Sequence, residues 1–405
     1  MTGAESSTIF GNYSENPIFN SEVPLSYEHI PDIDDIVGRD EEIKKLTNTL
    51  QRLPQGEHAV PFMVTGDTGY GKTTVVKSVL DELETEMTNV GLDFVYTYIE
   101  DRENEREVLR KLTKDLDLDY NGSDLSMYYQ RLREEIKERD LNYTIVLDDI
   151  DALFNKNGRK DHGNTVLKKL YEARKDVMNN SDGSLLIIGV TNNANITTQL
   201  DPKNRSRYAD DAIQFSPYNA NQLRQILRVR AEKAFKSHAL EEGVVGKIAA
   251  QVAQGQGDAR KAIRILRKAG KIAENNEFEK VRKKHVDEAK VRVERESVLQ
   301  TAKNLPKQKK IMLYSILEEK RKSPKYKHLF SKYEKVCRNE DVNPVGERQR
   351  RNIIEDLDML GLISTETVTV KDGRGNTNAV NVEIEEEEVR EDFVEYMDEE
   401  VFGYE

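Results

Sequence analysis

The chain has 405 residues, with 62 Lys and Arg against 74 Asp and Glu, a net charge of −12, no Trp and one cysteine. No stretch approaches the roughly 18 apolar residues of a transmembrane helix. The N-terminus has no basic region leading into an apolar run of the secretory type, and Cys337 alone can make neither an internal disulfide nor a cysteine-rich zinc site. A cytoplasmic, intracellular protein of two or three domains is the expectation. An acidic total argues against nucleic acid, but the charge is uneven. Residues 1–256 carry 31 basic and 43 acidic side chains, residues 257–375 carry 30 and 19, and residues 376–405 carry 1 and 12. A basic block between two acidic ones is a hint of polyanion binding.

In chain order, residues 1–35 show little periodicity and read as an irregular arm. Ile43, Leu46, Leu50 and Leu53 then mark one face of a helix. A short strand over 60–65 leads into GDTGYGKTT, and a helix is expected from 73 to 90. Strands follow at 93–99, 143–150 and 184–191, separated by two amphipathic helices before residue 141 and another over 164–179. Alternation of helices with fully apolar strands implies a parallel sheet covered on both faces. Beyond Pro217 the pattern is helical, at about 219–237, 242–254, 258–275 and 284–301. After Pro306 come helices at 306–320, 327–339 and 346–360 and two β-prone runs around a Gly-rich turn at 372–376. Three helices and a hairpin are the plan of a winged helix. The expected domains are an arm (1–35), an α/β domain (36–217), a helical lid (218–303), a winged helix (304–385) and a solubilising or disordered acidic tail (386–405).

The segment 66–74 contains G-x-x-x-x-G-K-[ST] between a strand and a helix. Glycines let Gly66, Asp67, Thr68, Gly69, Tyr70 and Gly71 curl so that backbone N–H groups meet phosphate oxygens, helped by the helix N-terminus. Lys72 reaches the β and γ phosphates, the Thr73 hydroxyl ligates Mg²⁺, and Thr74 continues the turn. The strand at 143–150 ends in Asp148-Asp149. Asp148 is expected beside Mg²⁺, with Thr73 as its partner in metal binding. Asp149 stands where many such ATPases carry a Glu that orients water, and its shorter reach predicts slow hydrolysis, suited to a switch.

The residues 346–360 (GERQRRNIIEDLDML) read as a recognition helix with Ile353, Ile354, Leu357 and Leu360 buried. Arg348, Gln349, Arg350 and Arg351 cluster at its N-terminal end, where such helices meet base edges. Arg and Gln suit guanine and adenine, and Arg350 is expected to read bases. Lys371 and Arg374 of the wing are expected on an adjacent groove or phosphate, and Lys307, Lys309 and Lys310 on the DNA backbone.

With a strand ending in Thr191-Asn192-Asn193, the P-loop and Asp148-Asp149 resemble an AAA+ ATPase. The resemblance implies that Asn192 senses the γ-phosphate, that Arg207 is the arginine finger with Arg205 second, and that Arg260 in Gly257-Asp258-Ala259-Arg260 reaches the nucleotide. QFSPYNANQLRQILRVR (214–230), PLSYEHIPDIDDIVGRDEEI, the lid string GDARKAIRILRKAGKIAE and the winged-helix string from 331 are similar to archaeal origin-recognition-type replication initiators, homologues of cell division control protein 6. This implies nucleotide contacts from Tyr218 and Arg230, with Val37, Gly38 and Arg39 near the adenine. It also implies ATP or ADP with Mg²⁺ as cofactors and duplex origin DNA as a partner, touched also by a helical insertion within about 101–121. Further partners are the minichromosome maintenance (MCM) helicase and paralogous initiators or further copies on DNA. A nucleotide-gated transcription regulator and a DNA branch-migration motor are the alternatives.

Overall fold

The computed structural model describes residues 17–26, 29–100, 104–118, 120–154, 161–193, 195–319, 321, 323–369, 376–382 and 387–402. The chain forms two compact units, Met1–Val286 and Asp287–Glu405.

In the first unit, α1 (Asp40–Leu50) precedes β1 (Phe62–Thr65), α2 (Lys72–Asn89), β2 (Phe94–Ile99), α3 (Glu105–Asp115), α4 (Leu125–Glu138), β3 (Asn142–Leu147), α5 (Gly163–Asn180) and β4 (Ser184–Thr191). Short helices α6 (Ile196–Gln199) and α7 (Pro202–Tyr208) lead to a two-residue strand, β5 (Ile213–Gln214). The strands form one parallel sheet in the order β2-β3-β4-β1-β5. Alternation of side chains along each strand divides its core. Met63, Tyr143, Ile145, Leu185 and Ile187 pack with α3, α4 and α5. Phe62, Val64, Val146, Leu186 and Ile188 pack with α1 and α2. The sheet the sequence implies is therefore present; β5, α6 and α7 carry too few apolar residues to show a period.

Helices α8 (Ala220–Ala234), α9 (Val244–Gln254) and α10 (Ala259–Asn275) form the lid. Asn219 and Gln222 close a reciprocal capping box at the start of α8. Part of the N-terminal arm is built into this layer. Ile18, Phe19 and Leu25 are buried, and the Phe19 ring lies 4.7 Å from that of Phe235. A Cβ on Gly270 would sit 2.2 Å from the Phe19 ring, so Gly270 makes room for this strap. Helix α11 (Lys283–Lys303) begins in the first unit and ends in the second.

The second unit contains α12 (Lys307–Leu317), α13 (Tyr326–Asn339), α14 (Glu347–Met359), the antiparallel strands β6 (Ile363–Thr369) and β7 (Asn376–Val382), and α15 (Glu387–Tyr396) with a π-helical turn, Met397–Phe402. The acidic end is not the solubilising or disordered tail expected from its charge. Phe393 and Met397 are fully buried with Ile311, Tyr333 and Ile354. Tyr314 stacks edge-on against Phe402 and donates from its hydroxyl to Asp398 at 2.9 Å. Glu391, Glu395 and Glu399 stay exposed while the two apolar side chains enter the core. Leu360 also departs from expectation: it follows the last turn of α14 and is 47% exposed.

Candidate functional site

The phosphate loop is shaped by backbone geometry. Gly69 and Gly71 adopt φ of 81° and 84°, a region that costs other L-residues energy. Both are closed over by distant residues. A Cβ on Gly69 would lie 1.7 Å from Asp258 Oδ1, and one on Gly71 would lie 2.4 Å from Tyr218 Oη. Asp258 caps α10, accepting from the Arg260 and Lys261 amides at 2.7 and 3.2 Å. The Ala259 amide donates to Gly69 O at 3.1 Å. The lid helix thus starts on the phosphate loop itself.

Behind the loop, polar side chains converge from the ends of β3 and β4 and from the first turn of α2. Lys72 is 5% exposed; its Nζ donates to Gly66 O at 2.8 Å, Asp67 O at 2.9 Å and Asn192 Oδ1 at 2.7 Å. Burial lowers its pKa, while Asp148 opposes this. Asn192 Nδ2 donates to Asp149 Oδ1 at 2.5 Å, so one amide joins the lysine to the second acid. Thr73 Oγ1 donates to Asp148 Oδ2 at 2.8 Å. Asp148 Oδ1 accepts from the Asp149 amide at 3.0 Å. Burial raises the pKa of both carboxyls, and Asp151 raises that of Asp149 further. Asp149 itself has φ of 49°, a left-handed turn that aims its carboxylate back at Asn192.

These groups face a cleft of about 500 Å³. Of the sequence-derived candidates, Val37, Gly69, Gly71, Lys72, Thr73, Thr74, Asp148, Asp149, Asn192, Tyr218, Arg230 and Arg260 line it. Gly66, Asp67, Thr68 and Tyr70 shape the loop without facing the cleft; Tyr70 donates to Asp67 Oδ2 at 3.3 Å. Gly38 accepts from Gln222 Nε2 at 3.0 Å. Arg39, expected beside a base, is instead buried under Tyr218. Its guanidinium lies 3.7 Å from that ring, donates to Tyr70 O and Ser216 O at 3.1 and 2.6 Å, and pairs with Glu42 at 2.8 Å. It fastens the loop to the lid hinge. Arg230 donates to Pro24 O at 2.5 Å, so it holds the N-terminal strap, whose Pro24, Leu25 and His29 form a wall of the cleft. Sequence reasoning missed that wall because the strap has no periodicity. Arg207 lies outside the cleft lining, with its guanidinium 4.1 Å from the Tyr171 ring.

The residues present fit a nucleotide and a divalent cation. Thr73 Oγ1 and Asp148 are hard oxygen donors of the kind Mg²⁺ takes, already held against each other. The cations Lys72, Arg230 and Arg260 on the same cleft suit phosphates.

In the second unit the candidate DNA-binding residues divide. Arg348, Gln349 and Arg351 are exposed on the first turns of α14, Arg351 pairing with Glu347 at 2.7 Å. Arg350, expected to read bases, turns inward. It is 12% exposed, its NH1 donates to Glu334 Oε1 at 2.5 Å and its Nε to Val345 O at 2.7 Å. The guanidinium also lies 5.6 Å from the Phe330 ring and 5.5 Å from that of Tyr333. Lys309 pairs with Asp356 on the recognition helix at 2.8 Å, and Lys310 donates to Tyr396 Oη at 3.1 Å. Lys371 and Arg374 lie outside the described residues. Within the candidate insertion, Glu105 is buried, paired with Lys169 at 2.8 Å and bonded by the Tyr129 hydroxyl at 3.2 Å.

A phosphate loop on a parallel sheet, a helical lid seated on that loop and a winged helix define an AAA+ ATPase of the DNA-replication class. Family models agree: an AAA domain over residues 56–196, a Cdc6 AAA+ ATPase-type lid domain over 224–291 and a CDC6 C-terminal winged helix domain over 300–392. The chain belongs to the family of ORC1-type DNA replication proteins. It is 33% identical over 388 residues to ORC1-type DNA replication protein 1 of Sulfurisphaera tokodaii, covering 94% of each chain. It is 33% identical over 384 residues to the ORC1-type DNA replication protein of Pyrococcus furiosus, covering 92% of this chain and 89% of that one. Among solved structures, the Aeropyrum pernix ORC1 protein in complex with DNA matches with a TM-score of 0.80 at 29% identity, over 96% of this chain and 99% of that one. The Aeropyrum pernix ORC2 protein in its ADPNP-ADP complexes shares the fold, with a TM-score of 0.61 at 17% identity, covering 93% of this chain and 98% of that one. No helix among the described residues is long and apolar enough to cross a membrane.

Proposed function

We propose that the protein is an ATP-dependent origin-binding initiator of DNA replication that recruits the MCM helicase. The carrying observation is the bridge Lys72–Asn192–Asp149. It links the phosphate-binding lysine to the acid that orients water, in a cleft walled by lid and strap. A γ-phosphate at Lys72 competes for the same amide, so the nucleotide state is felt at Asp149 and, through Asp258 on Gly69, at the lid. Thr73 and Asp148 would hold Mg²⁺, which neutralises charge on the β and γ phosphates. Lys72 and Arg260 bind and orient the phosphates, and Asn192 fixes the Asp149 carboxylate. Asp149 is one methylene shorter than Glu, so turnover is slow and the nucleotide acts as a switch. Arg207, outside the cleft of its own chain, would act on a neighbouring copy or paralogue.

The winged helix would read duplex origin DNA through Arg348 and Gln349, with Arg351, Lys307, Lys371 and Arg374 on phosphates. The DNA-bound state of the Aeropyrum pernix relative supports this reading. Mapping of bound sites across the genome of the host, with Lys72→Ala as control, tests it. Occupancy at origins that weakens in the variant is expected. Occupancy confined to promoters would overturn the initiator reading in favour of transcription control.

A further inference from the structure

The ladder between β3 and β4 stops at the pair Leu147–Gly189. The segments that carry Asp149 and Asn192 both lie beyond it, where that ladder no longer fixes their separation. Two side-chain hydrogen bonds cross there. One is the Asn192–Asp149 bond described above. In the other, Thr191 Oγ1 donates to Asp151 Oδ1 at 2.6 Å.

Thr191 is wholly buried and Asp151 half-buried, and neither lines the cleft. The hydroxyl is used in both senses. It accepts from the Asn193 amide at 2.9 Å; an N–H only donates, so the hydroxyl proton points at Asp151. The chain is thereby bent across Asn192, the residue between. Asp151 stands two residues after Asp149, in the short helical turn Ile150–Leu153, and the Ala152 amide donates to Asp149 O at 2.9 Å. The Thr191–Asp151 bond therefore ties the turn carrying the acid to the strand end carrying the amide. Asparagine at 151 would accept the same proton without adding a third negative charge beside Asp148 and Asp149. What the carboxylate adds is strength. At 2.6 Å the contact falls in the range of charge-assisted O–H···O⁻ bonds, about 2.5–2.7 Å, which are roughly twice as strong as neutral ones. Strength matters where Lys72 and Asp149 engage the two ends of the Asn192 amide.

We propose that Thr191 and Asp151 are positioning residues for nucleotide hydrolysis, their hydrogen bond setting the distance at which Asn192 holds the Asp149 carboxylate. This rests on the reading of the cleft above. In the reaction served, a water oxygen bonds the γ-phosphorus as the bond to the ADP oxygen breaks, and both hydrogens of that water end on the released phosphate. Asp149 accepts a hydrogen bond from the water, Asn192 holds Asp149, and the Thr191–Asp151 pair holds Asn192. Misplacing such a group by about 1 Å can cost roughly 100-fold in rate.

The test follows single-turnover ATP hydrolysis in Mg²⁺, and ADP binding, with the full chain. Thr191→Val removes the hydroxyl at nearly constant volume. It should slow hydrolysis about 10-fold while ADP affinity stays within about twofold of the wild type, because the bond acts on the acid and not on the phosphates. Thr191→Ser keeps the hydroxyl and should return the rate to within about threefold of the wild type. In an Asn192→Ala background, Thr191→Val should bring no further slowing, since residues that act through one another do not add. Asp151→Ala, at a half-buried position, should repeat this pattern and keeps the test standing if Thr191→Val does not fold. Equal slowing in both backgrounds, the result of a merely structural role, overturns the assignment. So does an unchanged rate, or a loss of ADP affinity that matches the loss of rate. A wild type that hydrolyses ATP no faster than Lys72→Ala overturns the hydrolysis reading itself, and is told apart because it is seen before Thr191 is changed.

Discussion

The cleft of the first unit and helix α14 of the second both begin as short polar strings in the sequence, yet the structure treats them differently. In the cleft, the residues of one short motif point where the motif says. Lys72 is turned inward by three oxygens and Thr73 meets Asp148. On α14, four consecutive polar residues scatter. Arg348 and Gln349 face solvent, Arg351 pairs along its own helix, and Arg350 is drawn into the fold by Glu334 and Val345. A phosphate loop is a local backbone device, so spacing determines it. Whether a surface arginine is free depends on which acid a distant helix brings to it, and spacing carries no record of that.

The largest expected effect concerns the scaffold under that second cluster. Phe393→Ala empties a site wholly enclosed by the winged-helix core and should cost about 3–5 kcal/mol. Denaturant unfolding of the full chain should show an early transition belonging to the second unit, while ADP binding at the cleft persists. A loss below about 1 kcal/mol would mean that the acidic end is an appendage after all.

Next in size is the division within α14. Arg350→Ala removes bonds to Val345 O and Glu334 and a buried stem, so stability falls by about 1–2 kcal/mol. The ratio of specific to nonspecific DNA affinity should hold. Arg348→Ala should do the reverse, leaving the unfolding midpoint in place and costing about 1–3 kcal/mol of discrimination between binding sites. Competition binding with origin and random duplexes, beside thermal melts, separates the two. Loss of specificity in Arg350→Ala with an unchanged melt would erase the contrast between them.

Much of the fold was legible because its signals are local. Four of the five strands of the parallel sheet and the lid helices follow from apolar runs and from the 3.6-residue period. The cleft was legible for the same reason at Lys72, Thr73, Asp148 and Asn192. What escaped was decided by distant partners. Strand β5 is two residues long and exists only because β1 offers an edge. Arg39 is taken from the cleft by the Tyr218 ring and two carbonyls. The acidic end conceals Phe393 and Met397 among ten acids of the last twenty residues.

The smallest expected effect tests the strap that walls the cleft. Glu22 pairs with Lys271 and with Arg267, the latter at 3.0 Å. Burial alone would raise its carboxyl, but the hydrogen bonds and charges of Lys271 and Arg267 outweigh this and hold its pKa below 4.5. A depressed carboxylate stabilises the folded state above its ordinary pKa, and that contribution is lost as pH falls through the lowered value. Glu22→Gln therefore should lower stability near neutral pH by no more than about 1 kcal/mol, since the pair is partly solvated. The gap between variant and wild type should close as pH falls below 4.5. Thermal midpoints across that range provide the measurement. If no gap appears near neutral pH, Glu22 contributes nothing, and the strap is held by Ile18, Phe19 and Leu25 together with the Arg230 bond to Pro24 O.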